Sequence, residues 1–98
     1  MVYQAAKEME RVLVGLATRK AAGEDVTAEI PDAIDKFDVF LSKMADANNA
    51  VAVTVAMKEV ILGDRFQAAM FEIDDRRLIG QKMLAIRMLD RKPFQLVA

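Results

Sequence analysis

The sequence predicts an all-α protein, a small antiparallel helical bundle or set of helical hairpins forming one domain over residues 1–98. Three observations lead there. Glycine and proline, the usual helix breakers, are sparse at four and two residues among 98. Strong helix formers such as Ala, Leu, Met, Lys and Glu are abundant. Apolar residues recur at spacings of three and four, the period that lines one face of a helix. Short connections then imply antiparallel neighbours.

The first segment, Val2 to Ala22, carries Val2, Ala5, Met9, Val12, Leu13 and Leu16 on one stripe. Gly15 interrupts it at a cost of about 1 kcal/mol relative to Ala, which suggests close approach of a second helix. Lys20 in the last turn and Gly23 beyond it form a stop signal. "EDVTAEI" reads as a connection, and Pro31 suits the first turn of the next helix. Asp32 and Asp35 fall where the helix dipole favours negative charge. Ile34, Phe37, Leu41 and Met44 form the next seam, widened by Ala33 and Phe40.

"ADANNAVAVTVAM" mixes signals. Val51, Val53, Thr54 and Val55 are β-branched and favour strands. Yet alternation with Ala gives no polar face, and no second run of that character exists to pair with it. A helix is the better reading, with a break near Asn48 and Asn49 and a cap from Asp46, Asn48 or Asn49. Its stripe continues from Met44 through Val51 and Val55 to Leu62, and Gly63 ends it. Asp64 reads as the next N-cap, followed by Phe66, Ala69, Met70 and Ile73.

That stripe loses phase at "DDRRLIG". Extended further it would meet Arg76, Arg77 and Gly80, whereas the apolar residues that follow are Leu78, Ile79, Met83, Ile86 and Leu89. A break at Asp74 or Asp75 restores the apolar face, and either carboxylate can cap a helix starting near Arg76. A continuous helix would instead pair Glu72 with Arg76 and Asp74 with Arg77. The chain is thus three long helices, or four to five if broken near Asn48/Asn49 and Asp74/Asp75. Pro93 ends the last helix and leaves a short apolar tail, residues 93–98.

Composition restricts the chemistry. The chain has neither Cys nor His, so it lacks disulfides, a thiolate nucleophile, the commonest metal ligand and the commonest general base. No carboxylate-rich calcium loop is present. The reading is therefore of no catalytic, cofactor-binding or metal-binding residues, hence not an enzyme. "MVYQAAKEME" lacks the basic and apolar regions of a secretory signal. The longest apolar run, Ala50 to Met57, is broken by Thr54 and is short of the ~20 residues that span a bilayer. A cytoplasmic protein without a membrane is expected.

Net charge is −1, unevenly spread: +2 over residues 1–22, −5 over 23–63 and +2 over 64–98. An acidic middle between mildly basic ends suits segments that pack on one another or on a partner. It argues against nucleic acid. The hydrophobic share of 54% exceeds the usual 45–50% of soluble domains, which is difficult to bury inside one small monomer. A protein partner and self-association as a dimer are expected.

The function expected is a non-catalytic helical interaction module, an adaptor, assembly subunit or inhibitor acting through apolar helix faces. A DNA-binding regulator is the alternative, since "LGDRFQAAMFEIDDRR" offers a short turn with Arg65 and Gln67 near a helix start. A small helical-bundle enzyme, gripping a dianion between helices, comes third, because the basic residues mostly fall off the apolar stripes. The partner-binding candidates are Arg76 and Arg77, whose guanidinium forks suit carboxylates or phosphates, together with Met83, Phe94, Leu96 and Val97. Met9, Met44, Met57, Met70, Met83 and Met88 lie on or near apolar faces, where Met either fills a core or lines an adaptable groove.

Overall fold

The computed structural model describes residues 2–91, with the side chains of 90 and 91 outside the description. The described residues form five α-helices: α1 (Val2–Ala21), α2 (Ile30–Asp46), α3 (Ala50–Ala56), α4 (Asp64–Ile73) and α5 (Arg76–Arg91). A 3₁₀ turn, Thr27–Glu29, leads into α2, and a π-helical segment, Met57–Ile61, continues α3. No strand occurs among the described residues. Both anticipated breaks are present. "AVAVTVA" is helix.

Helix α1 is the central element and packs against α2, α3, the π segment and α4. Its buried face comprises Val2, Ala6, Met9, Leu13, Leu16 and Ala17, close to the expected stripe but rotated so that Ala5 and Val12 sit at its edge. Helix α2 returns antiparallel to α1: Gln4 and Ala5 share a cleft with Val39 and Lys43 at one end, while Arg19 pairs with Glu29 at the other. Helix α4 departs from the antiparallel expectation. Val14 to Ala21 of α1 lie along Arg65 to Glu72 of α4, and Lys20 reaches the carbonyls of Glu72 and Ile73 at 2.8 and 2.9 Å. The two helices run the same way, because α3 and the π segment carry the chain back between them.

The core is aromatic at its centre. Phe37 meets Phe40 and Phe66 edge to face, with ring centroids 5.9 and 6.1 Å apart, and all three rings are buried. Such pairs add about 0.5–1.5 kcal/mol beyond the area they bury. Met9, Met44 and Met57 are fully buried around them, so for these three the core-filling role holds.

Local signals explain the junctions, with three corrections. Gly23 adopts φ +95° after α1, and Asn49 accepts a hydrogen bond from Ala52 N–H at 3.0 Å to cap α3. Asp64, expected as an N-cap, is instead the first residue of α4, and Gly63 holds the cap position without a side-chain bond. Gly63 is there for space: a Cβ would lie 2.9 Å from the Glu59 carbonyl oxygen and 3.2 Å from that of Val60. The π segment creates this crowding, since Leu62 N–H bonds five residues back to Met57 at 2.8 Å. Gly15 is not a close-approach glycine, because nothing lies within 4 Å of where its Cβ would be.

The third correction concerns phase. The stripe expected through Val51, Val55 and Leu62 is not the buried one. Val51 is 72% exposed, and Val53, Ala56, Met57, Val60 and Ile61 face the core instead. The break at residues 47–49 resets the helix rotation, so a stripe extrapolated across it lands on the wrong side.

Candidate functional site

The "DDRR" run divides one helix from the next. Asp74 takes the left-handed conformation, φ 51° and ψ 51°, and its N–H bonds to the Met70 carbonyl at 2.9 Å, closing α4. Asp and Asn tolerate this region better than most residues with a Cβ. Asp75 then opens α5, its carboxylate accepting from Arg77 N–H at 2.9 Å and Leu78 N–H at 3.1 Å. One carboxylate terminates and its neighbour caps. Because the helix breaks, neither Glu72–Arg76 nor Asp74–Arg77 forms an ion pair; the ion pairs among the described residues lie elsewhere.

The two-residue turn sends α5 away from α4 and leaves a groove of about 760 Å³ between them. Its α4 wall carries Ala68, Met70, Phe71 and Glu72, and its α5 wall Ile79, Lys82, Met83 and Ile86. Phe71 stands at 88% exposure, Met83 at 53% and Ile79 at 37%. Ile79, Met83 and Ile86 follow the i, i+4, i+7 spacing of one apolar helix face, with Ile86 partly buried against the core. Helix α5 turns a different side to its own domain: Leu78 and Ala85 are its fully buried residues, and it packs on α2. The apolar residues that share this spacing thus divide: Leu78 is buried, Ile86 and Leu89 are partly buried against the core, and Ile79 and Met83 are exposed.

Polar ties fix the groove. Lys82 donates to the Gln67 Oε1 across it, and partial burial lowers the lysine's pKa from its ordinary value. On the far side of α5, Gln81 Nε2 donates to the Ile34 carbonyl at 2.9 Å and to Asp38 at 2.8 Å. The Gln81 bonds tie α5 to α2, on which it packs, and among the described residues the Lys82 bond alone reaches across to α4. Lys20, at the end of α1, anchors the end of α4 through the Glu72 and Ile73 carbonyls. Nothing in the local sequence connects Lys20 or Gln81 to residues about half the chain away; only the packing does.

Of the predicted partner-binding residues, Met83 lies in the groove wall. Arg76 and Arg77 are exposed in the first turn of α5, outside the groove lining, and the structure does not bring them together with Met83. Phe94, Leu96 and Val97 lie outside the described residues. Phe71 and Ile79 complete the site. Phe71 falls off the buried stripe of α4, and an isolated exposed Phe carries no periodic signal in the sequence.

A second depression, of about 250 Å³ between α1 and α2, is polar and lined by Arg11, Arg19 and Lys36 with Glu29 and Asp32. Two of its cations are already neutralised: Arg11 binds Glu8, and Arg19 binds both Glu24 and Glu29. These bonds hold the Glu8 and Glu29 carboxyls below their usual range and raise the Arg19 guanidinium. With Arg11 and Arg19 paired, Lys36 is the cation of this lining left outside an ion pair among the described residues. No cluster of three or more carboxylates able to hold a metal occurs among the described residues. Nor is any described helix long and apolar enough to cross a membrane. Comparison with protein-family models, with curated proteins and with solved structures finds no match to this chain.

Proposed function

We propose that the protein is a non-catalytic interaction module that binds an apolar, helical or extended protein segment in the α4–α5 groove. The observation that carries this reading is the i, i+4, i+7 face of α5, with Ile79 and Met83 exposed opposite a protruding Phe71. Leaving that face in water costs roughly 25 cal/mol per Å² of apolar surface that a partner would cover. Grooves between helices with adaptable Met and aliphatic linings bind amphipathic helices through anchors at matching spacing. Glu72, Asp74 and Lys82 at the rim supply charges of both signs for orientation, and the scaffold beneath is held by the Lys20, Gln67 and Gln81 bonds. An adaptor, assembly subunit or inhibitor acts in this way.

A displayed library of random 16-residue peptides, selected on the protein and counter-selected on Met83→Glu, tests the reading. The expected result is enrichment of peptides with apolar residues at i, i+3 or i+4, and i+7, whose binding falls at least tenfold on Met83→Glu. Absence of enrichment, or binding indifferent to Met83, would overturn it.

A further inference from the structure

The α4–α5 face carries an exposed aromatic ring, an apolar groove and charges of both signs side by side, the parts that a contact with its own copy requires. A two-fold contact places one surface against its own copy, so every protrusion must meet a depression on the same face and every charge an opposite one. Phe71 is the protrusion, 88% exposed on α4. The depression beside it, walled on α5 by Ile79, Met83 and Ile86, measures about 760 Å³, ample for a phenyl ring. The charges obey the same rule, with the acids Glu72 and Asp74 on the α4 side and, on the α5 side, Lys82, whose hydrogen bond within its own chain goes to the neutral Gln67.

We infer that the occupant of the groove is a second copy of this chain. The inference rests on the reading that the α4–α5 groove is a binding surface and names its partner. Across the two-fold axis, α4 of each copy lies over α5 of the other. Phe71 enters the partner's groove, and Lys82 meets the acidic turn at Glu72 and Asp74. Each Phe71 is withdrawn from water and each Met83 is covered, which is the arrangement expected of interface anchors, where aromatic and Met side chains are enriched. The charge pairs fix register and orientation more than they add affinity.

Sedimentation equilibrium of the intact chain, compared with variants, tests this. The intact chain is expected to approach twice its 10.9 kDa mass as concentration rises. Phe71→Asp should weaken the association at least tenfold with unchanged helicity, because that side chain makes no core contact to lose. Leu84→Asp, on a part of α5 that does not line the groove, should leave it intact. Lys82→Glu should weaken association, and Glu72→Lys combined with Lys82→Glu should restore part of the loss. A monomer at every concentration would overturn the inference. So would a dimer indifferent to Phe71→Asp, or one abolished by removing residues 93–98 alone, which would make the tail the occupant. The two readings fail separately: a monomer that still selects Met83-dependent peptides loses the second copy but keeps the groove. A monomer that selects none loses both.

Discussion

Asp74 and Asp75 look interchangeable in the sequence, yet backbone geometry gives them opposite tasks, and substitution should separate them. Asp75→Ala removes two hydrogen bonds to the first turn of α5 and is expected to cost about 1 kcal/mol, the usual effect of losing an N-cap. Asp74→Gly should be neutral or stabilising, because glycine adopts positive φ without a Cβ penalty. Thermal unfolding of the two variants checks this, and equal losses would contradict it. The glycines separate likewise. Gly15→Ala meets open space and should stabilise α1 by roughly 0.5–1 kcal/mol. Gly63→Ala drives a Cβ into two carbonyl oxygens and should destabilise by about 1–3 kcal/mol, as overpacking does. The sequence marked Gly15 as an interruption but could not say whether a neighbour required it, since that depends on rotation about the helix axis. Arg76 and Arg77, exposed at the positive end of a helix dipole, should tolerate alanine with little change in stability.

Helix α5 shows most clearly how far periodicity reaches. Its apolar spacing made the element and its start at Arg76 legible, and the loss of phase at "DDRR" located the junction. What spacing could not tell is which neighbour covers the stripe. Leu78 and Ala85 are buried, with Ile86 partly buried against the same core, whereas Ile79 and Met83 are exposed in the groove, and all are apolar at helical intervals. The α2 and α4 stripes were legible almost residue by residue, because each begins after a clear stop and is buried on its main face. The stretch after Asn49 was legible as helix but not in phase, since a break of a few residues sets a new rotation. The groove was therefore half visible: Met83 was identified, Phe71 was not, and Arg76 and Arg77 lie beside it rather than in it.

Over the whole molecule, the uneven charge of the chain finds an explanation in the pairing of its first two helices. The basic end of α1 meets the acidic segment before α2 through Arg19 with Glu24 and Glu29, so complementary thirds of the sequence fold on one another. Stability should follow pH accordingly. The Glu29 carboxyl is held below its ordinary value of 4.5 mainly by the hydrogen bond from Arg19. A depressed carboxylate contributes stability that is fully present above the unfolded value and is lost as pH falls through the folded one. The acid limb of a pH–stability profile should therefore descend below about 4.5, and Glu29→Gln should flatten it; an unchanged limb would contradict the assignment.

The proposed binding surface is reported by methionine. In a sample with ¹³C-labelled Met methyls, Met83 is exposed in the groove wall, while Met9, Met44 and Met57 are fully buried in the core. Raising the protein concentration, or adding a peptide selected on the groove, is expected to shift the Met83 signal and leave Met9, Met44 and Met57 in place. Binding that moves the core methyls while Met83 stays still would contradict the α4–α5 groove as the working surface of this protein.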